Sequence, residues 1–228
     1  MQPASAQDIA ISIGDEAGLS GRAIQLIGAI TLLSIAPGLA IMVTCFPFIV
    51  TVLSILRQAI GLQQAPPNML IISLALFLTY FVMDPVFQEA WSQGLKPLTE
   101  GELNVEKAFP LTIAPFRTFM AARLDVETFA SLAELRSFDL TSSSPEQAPL
   151  SLLVPSFMLS EVERAFQIGF LVFLPFLIID LVVAAVLMSM GMMMVPPAVV
   201  SLPFKLAFFA VADGWSLIAT ALVRSYFE

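Results

Sequence analysis

The sequence predicts an all-α, membrane-associated protein made of helical hairpins, with four long apolar helical segments and an amphipathic helical insert. Three observations predict this fold class. Hydrophobic residues make up 58% of the 228 residues and charged residues only 12%, whereas soluble domains have about 45–50% apolar and about 25% charged residues. Residues 24–56 contain no charged residue, and about 20 apolar residues suffice for a helix to cross a bilayer. No alternation of apolar and polar residues continues far enough to predict a strand.

The composition also excludes several functions. The chain has no histidine, which rules out catalysis and metal binding by imidazole. Its single cysteine, Cys45, lies in an apolar run and cannot form an internal disulfide, so we interpret it as a small buried apolar residue. The net charge of −8 argues against nucleic-acid binding. The sequence contains no Gly-rich phosphate loop and no nucleophile–base pair, so we predict neither an enzyme nor a cofactor or metal.

Charge and apolar runs divide the chain into four parts. They are a polar N-terminal tail (1–20), a first apolar helical hairpin (21–83), an acidic helical insert (84–150) and a second apolar helical hairpin with a methionine-rich loop (151–228). In the tail, Ala4-Ser5-Ala6 has the small-x-small pattern of a signal cleavage site, although no basic or apolar region precedes it. A signal sequence located upstream and a disordered polar tail are the two alternatives.

Prolines interrupt the first hairpin. Pro37-Gly38 and Pro47 predict kinks or two stacked segments, because proline removes one helical hydrogen bond. Pro66-Pro67, in the polar stretch GLQQAPPN, predicts the turn between the two arms. The second arm runs from Asn68 to Met83, before Asp84-Pro85, and its sixteen residues span about 24 Å, less than a hydrocarbon core of about 30 Å. Such an arm fits best if it tilts against protein or lies outside the bilayer.

The insert is acidic and polar. More than half of the eighteen carboxylates lie in residues 84–146. Residues 115–138 carry apolar side chains at helical spacing between charges, which predicts one or two amphipathic helices, and the Ser- and Pro-rich residues 139–149 predict a loop. An acidic insert is placed more easily outside the cytoplasm, which would leave the short turns on the cytoplasmic side.

Charged residues stand inside the apolar arms of the second hairpin. The third apolar segment runs to Met194 with Asp180 in its middle, and the fourth, about 198–225, carries Lys205 and Asp213. Lys205 and Asp213 stand eight positions apart, which predicts that their side chains share one helix face about two turns apart. A charge inside an apolar helix is usually paired or faces a polar cavity. We therefore predict ion pairs between helices or subunits for these three residues, with a proton or ion relay as the alternative.

A polar interruption lies earlier in the third segment, where Glu161, Glu163 and Arg164 stand close together. Two interpretations remain open for these charges. They form a face that contacts another subunit, or they are simply a solvated helix face.

The stretch MSMGMMMVPP contains five of the eleven methionines, Met188, Met190, Met192, Met193 and Met194. Thioether sulfur suits Cu(I), but consecutive helical residues point in different directions and no cysteine or histidine assists. Contact with lipid or core is a second interpretation. The glycine and the prolines favour a third, a projecting loop whose flexible apolar side chains close a pore.

Several blocks of this sequence resemble the FliP family of flagellar biosynthetic membrane proteins. RQA-G-QQ-PPN, FQIGF, PFLIIDLVVA, LMSMGMMM, SLPFK and DGW stand here in that order, and the likeness covers about residues 38–225. The resemblance implies a core subunit of the flagellar type III export gate. It implies several copies, a pentamer, wrapped with FliQ- and FliR-type partners into a cone through which unfolded flagellar proteins pass.

The same resemblance implies site residues and location. The gasket around the pore falls on Met192, Met193 and Met194, with Met188 and Met190 as its flank. The implied location is the bacterial inner membrane and flagellar basal body, with multiple passes and the insert on the periplasmic side. It also implies a cleaved signal, and it favours the ion-pair interpretation over a relay because the hairpins of the family pack largely on each other.

Overall fold

The computed structural model describes residues 26–28, 30–31, 34–35, 38–61, 66–136, 138 and 144–227. The predicted polar tail with Ala4-Ser5-Ala6 and four of the eight residues of the polar turn at 61–68 lie outside these residues, as do five of the eleven residues of the predicted 139–149 loop. The chain forms two compact units, 1–40 and 41–228. In the first unit, the described residues from 26 to 40 are helical. All elements below belong to the second unit.

The first arm of the hairpin is the short helix α1, Phe46–Ile60. Pro47 stands in its first turn, where a missing N–H is tolerated. Pro47 therefore lies at the start of a helix, which agrees with the prediction that the first apolar run is interrupted at this proline. The helix ends at Gly61, whose φ of 88° is the left-handed conformation that glycine adopts without strain.

The second arm is longer than predicted. Helix α2, Asn68–Ala90, continues through Pro85 into a π-helical turn, Trp91–Leu95, and a short helix α3, Lys96–Thr99. The predicted end at Asp84-Pro85 was wrong, because one lost hydrogen bond does not break a helix that neighbouring helices hold in place. The continuous run of 32 residues is long and apolar enough to cross a membrane.

The part of the predicted insert that follows α3 contains two helices, which confirms its predicted helical character. They are α4, Val105–Ala122, and α5, Val126–Leu135. Asn104 and Asp125 are their N-caps, and each side chain accepts a hydrogen bond from a backbone N–H three residues ahead. Pro110 and Pro115 lie inside α4 instead of ending it.

The second hairpin starts with α6, Leu150–Ser189, which has 40 residues. It ends five residues before the predicted end at Met194. The predicted fourth segment is two helices, α7, Pro197–Val211, and α8, Gly214–Arg224, bent by 61°. Asp213 stands at the bend with a φ of 48°, a conformation that aspartate tolerates better than most residues.

The fold class is confirmed, with a correction to the number of spans. No strand occurs among the residues that the structure describes. Two helical runs, Asn68–Thr99 and Leu150–Ser189, are long and apolar enough to cross a membrane, and the bent pair α7–α8 would make a third. Helix α1 is apolar but shorter. The predicted four long segments are therefore two or three.

Helix α1 lies at the centre of the main core. Its apolar side chains Phe48, Ile49, Val52, Leu53 and Leu56 are all fully buried. Gly169 allows α6 to approach α1 closely, because a Cβ at this position would collide with the side chain of Ile55. A second cluster, around Met120 and Phe157, joins the insert to the start of α6.

Candidate functional site

The methionine-rich stretch forms a tight turn between α6 and α7. The N–H of Met192 donates to the carbonyl of Leu187 at 3.0 Å, and the N–H of Gly191 donates to that of Met188 at 3.1 Å. With Gly191 at a φ of 73°, these two bonds make the Schellman motif that ends many helices. Pro196 and Pro197 then set the start of α7. Glycine and prolines thus turn the chain out of the helix, as the sequence pattern predicted.

The turn presents methionines outward. Met193 is 84% exposed and Met194 is 97% exposed, while Met192 is partly covered. Met188, on the last turn of α6, and Met190, directly after the helix, are also exposed. Met190 and Met192 also line an apolar cleft of about 540 Å³ between α6 and α7. Two of the five methionines therefore line the cleft of the hairpin, and the side chains of Met193 and Met194 at the tip are left exposed.

The side chains of the turn are thioethers, and the usual metal-binding side chains do not gather in the described part of the chain. The described residues contain no group of three or more His, Cys, Asp or Glu side chains that could hold a metal ion. Cys45 is fully buried at the start of α1, remote in the chain from the methionines. What the turn offers is flexible apolar surface, which can repack against irregular partners.

A second feature joins Asp180 to Lys205. Lys205 Nζ donates to Asp180 Oδ2 at 2.6 Å and to the carbonyl oxygen of Ala59 at 3.1 Å. Ser201 Oγ donates to the other oxygen of Asp180 at 2.5 Å. Lys205 is buried, but its charge is balanced by the carboxylate of Asp180. The carbonyl of Ala59 lies at the C-terminal end of α1, where the helix dipole also favours a cation. One ammonium therefore connects α1, α6 and α7.

Asp213 is separate from this pair. The shared helix face predicted for Lys205 and Asp213 was wrong, because α7 ends at Val211 and the chain bends before α8. Gly214 allows that bend, since a Cβ there would collide with the ring of Phe209. None of the ion pairs between described residues includes Asp213. Its pairing with another subunit stays a prediction.

The third feature is a buried carboxylate that sequence reasoning placed on the surface. Glu161 is fully buried. It accepts a hydrogen bond from Arg123 Nε at 3.2 Å and one from the Tyr226 hydroxyl, and Arg164 Nη1 lies 3.7 Å away. Glu161 therefore has its partners within the chain and does not face another subunit. Glu163 is exposed and Arg164 is half-buried, so a subunit contact stays a prediction for these two residues.

Arg123 and Tyr226 were missed in the sequence. Arg123 also donates from Nη1 to the carbonyl of Ser225 at 2.8 Å, and its guanidinium lies 4.1 Å from the centre of the Tyr226 ring. Burial raises the pKa of the Tyr226 phenol, and the Glu161 carboxylate raises it further. The only hint in the sequence was that Arg123 stands between apolar residues, in AARL. This local pattern does not reveal that its partner is Tyr226, about 100 residues later in the chain.

These structural features define a class of protein. The chain is a multi-helix membrane-associated protein in which buried ion pairs join apolar helices and a methionine turn is left exposed. The model of the FliP family matches residues 29–222. The chain belongs to this family.

Relatives support the assignment along nearly the whole chain. A flagellar biosynthetic protein FliP of Caulobacter vibrioides is 50% identical over 216 residues, which is 95% of this chain and 81% of the relative. The protein of the same name from Agrobacterium fabrum is 47% identical, covering 89% of this chain and 83% of the relative. The one from Bacillus subtilis is 44% identical, covering 89% and 91%.

Proposed function

We propose that this chain is a core subunit of the flagellar type III protein export gate. Membership in the FliP family and the flagellar names of its relatives support a role in flagellar biosynthesis as a component of this export system. The finer statement concerns the gate. Several copies surround a channel for unfolded flagellar proteins, and Met192, Met193 and Met194 of each copy close it.

The exposed turn is the observation that carries the proposal of a seal. Large apolar side chains that are almost fully exposed are unfavourable in water and usually mark an interaction surface. Met193 and Met194 lie exposed at the tip of the turn. The two residues before them, Gly191 and Met192, are held by backbone hydrogen bonds to the end of α6. A fixed backbone with flexible tips suits a collar, because the side chains can meet across a pore and can also repack around a passing chain.

Exposed apolar faces support assembly. Beyond the turn, bulky side chains of α6 and α7 such as Phe170, Val199 and Val211 are exposed. Lipid covers part of such surface, and the rest is available to other subunits. We propose a homo-oligomer, a pentamer, completed by FliQ- and FliR-type subunits, in the inner membrane at the flagellar basal body. Glu163 and Arg164 contribute to subunit contacts, and the acidic insert lies on the periplasmic side.

Permeability tests the seal. In cells that carry only the variant Met192→Ala/Met193→Ala/Met194→Ala, we expect the assembled complex to be recovered normally and a small membrane-impermeant dye to enter the cytoplasm. Met69→Ala is the control, because Met69 is also exposed but lies on α2. Unchanged impermeability in the triple variant, with the complex assembled, would show that these methionines do not seal a pore.

Native mass spectrometry tests the assembly. We expect the purified complex to contain several copies of this chain together with smaller hydrophobic subunits. A chain recovered only as a monomer from gentle detergent extraction would contradict the proposed gate.

A further inference from the structure

A groove between α2 and α4 has a composition that the export function does not explain. It encloses about 470 Å³, which is within the usual range of ligand sites. Four aromatic side chains line it, Tyr80 and Phe87 from α2, Trp91 from the π-helical turn and Phe116 from α4. Phe87 contacts both Tyr80 and Phe116, with ring centres 6.3 and 5.9 Å apart. Tyr80, Phe87 and Phe116 thus form a continuous aromatic wall.

The groove also contains a carboxylate, Asp84, that forms no ion pair with a described residue. Asp84 lines the groove, and its Oδ2 accepts a hydrogen bond of 2.7 Å from the neutral amide of Gln88. Aromatic faces and a carboxylate both attract a cation. The charge of this groove is therefore complementary to an ammonium group.

The backbone beside the groove is unusual. Trp91–Leu95 is a π-helical turn, and such turns inside helices occur frequently at functional sites. Both of its end residues, Trp91 and Leu95, line the groove. Gly94 lets α4 come close, because a Cβ at this position would collide with Thr112. The irregular turn thus shapes the wall of the groove.

The groove lies next to the apolar part of α2, and this position indicates which kind of ammonium compound it would bind. Asp84 follows directly on the apolar run of α2, and tryptophan and tyrosine are enriched at the boundary between membrane and water. One turn before Tyr80, on the same face of α2, Leu76 and Phe77 are exposed. A ligand in the groove would therefore have its charged end at Asp84 and apolar surface next to it along the helix.

We propose that this groove binds the headgroup of an aminophospholipid of the phosphatidylethanolamine type. The ammonium lies against the aromatic rings and donates hydrogen bonds to Asp84, and the acyl chains lie along Leu76 and Phe77. The lipid holds the junction between the apolar helix α2 and the insert at the membrane surface.

Fluorescence of Trp91 tests the proposal in the full chain. The sequence has two tryptophans, so the variant Trp215→Phe leaves Trp91 as the only reporter. The purified protein in detergent is titrated with dihexanoyl phosphatidylethanolamine and, separately, with dihexanoyl phosphatidylglycerol, which lacks the ammonium. We expect a saturable change with the first lipid and at least about tenfold weaker binding of the second.

Two carboxamide variants in that background locate the site. Asp84→Asn should weaken binding of the ethanolamine lipid about tenfold. Glu89→Gln is the matched control, since Glu89 is exposed on the same helix and does not line the groove, and it should leave binding unchanged. Circular dichroism verifies that both variants keep their helix content.

Three results would overturn the proposal. The first is equal binding of the two lipids, and the second is unchanged binding by Asp84→Asn. The third is loss of self-association in Asp84→Asn without any lipid effect, which would identify the occupant as a cationic side chain of a second copy.

Discussion

The ammonium of Lys205 lies 2.6 Å from Asp180 Oδ2 and also donates to the carbonyl of Ala59, 146 residues earlier in the chain. Because Lys205 is buried, removing its carboxylate would leave a charge inside the protein with only neutral acceptors. This one contact joins both hairpins. It gives the pair a structural role that requires no proton transfer.

The variant Asp180→Asn tests this role. Breaking a fully buried pair costs about 3–5 kcal/mol, but a third of the Asp180 side chain is exposed, so we expect a loss nearer 2 kcal/mol. The measurement is the thermal unfolding midpoint in detergent, together with recovery of the oligomer. The double variant Asp180→Asn/Lys205→Met should recover part of the loss, because no buried charge remains. Normal stability with altered pH dependence of export would instead indicate a proton relay.

Glu161→Gln should be among the most damaging single substitutions in the chain. It leaves Arg123, whose side chain is only 15% exposed, without its counter-charge, at a cost of about 3–5 kcal/mol. The expected result is a large fall in the unfolding midpoint and faster proteolysis of the insert. Glu163→Gln, on the exposed side of the same helix, should change stability by less than about 0.5 kcal/mol. Similar effects of the two substitutions would rule out the buried network as a stabilising element.

The substitution Tyr226→Phe distinguishes the contribution of the Tyr226 hydroxyl to stability from that of its ring. The ring stacks on Phe119 with centres 6.0 Å apart and lies under Arg123, and phenylalanine keeps both contacts. Only the hydrogen bond to Glu161 is lost, about 1.5–3 kcal/mol for a bond to a charged group. Tyr226→Ala should destabilise more in the same unfolding experiment, since it also removes the ring. Equal effects would mean that the ring contributes nothing.

Gly169→Ala tests the close packing of α1 on α6. The added methyl group would collide with Ile55, and overpacking costs about 1–3 kcal/mol. In an Ile55→Ala background the space is available, so the same substitution should be neutral or stabilising there. A double-mutant cycle on the unfolding midpoint measures this coupling, and additive effects would contradict the predicted collision.

The N-cap of α5 predicts a pH dependence. The N–H of Thr128 donates to Asp125 and lowers the pKa of this carboxyl below its ordinary value of 3.8. Because the ionised form is favoured in the folded helix, its stabilisation is present above that ordinary value and is lost as the pH falls through the lowered pKa. Hydrogen exchange of residues 126–135, corrected for intrinsic rates, should show α5 opening at low pH. Asp125→Asn keeps a neutral cap and should remove this dependence, and a persistent dependence would assign it to another group.

The sequence by itself determined the helical class and the methionine turn. These features depend on local chemistry. Apolar composition excludes a soluble domain, and glycine and proline around Met192 end a helix in almost any surroundings. The family could be inferred as well, because its blocks are contiguous stretches such as PFLIIDLVVA.

Tertiary structure decided which helices continue and which charges meet. Pro85, Pro110 and Pro115 lie inside helices, since packing on neighbouring helices outweighs one missing hydrogen bond. Glu161 looked like a surface residue because Arg123 and Tyr226, its partners, are remote in the chain. Asp213 lost the helix face that its spacing predicted, because the bend at Gly214 depends on how that residue packs against Phe209. Local residue types determine turns and helices, but only the folded chain determines which distant side chains share a buried space.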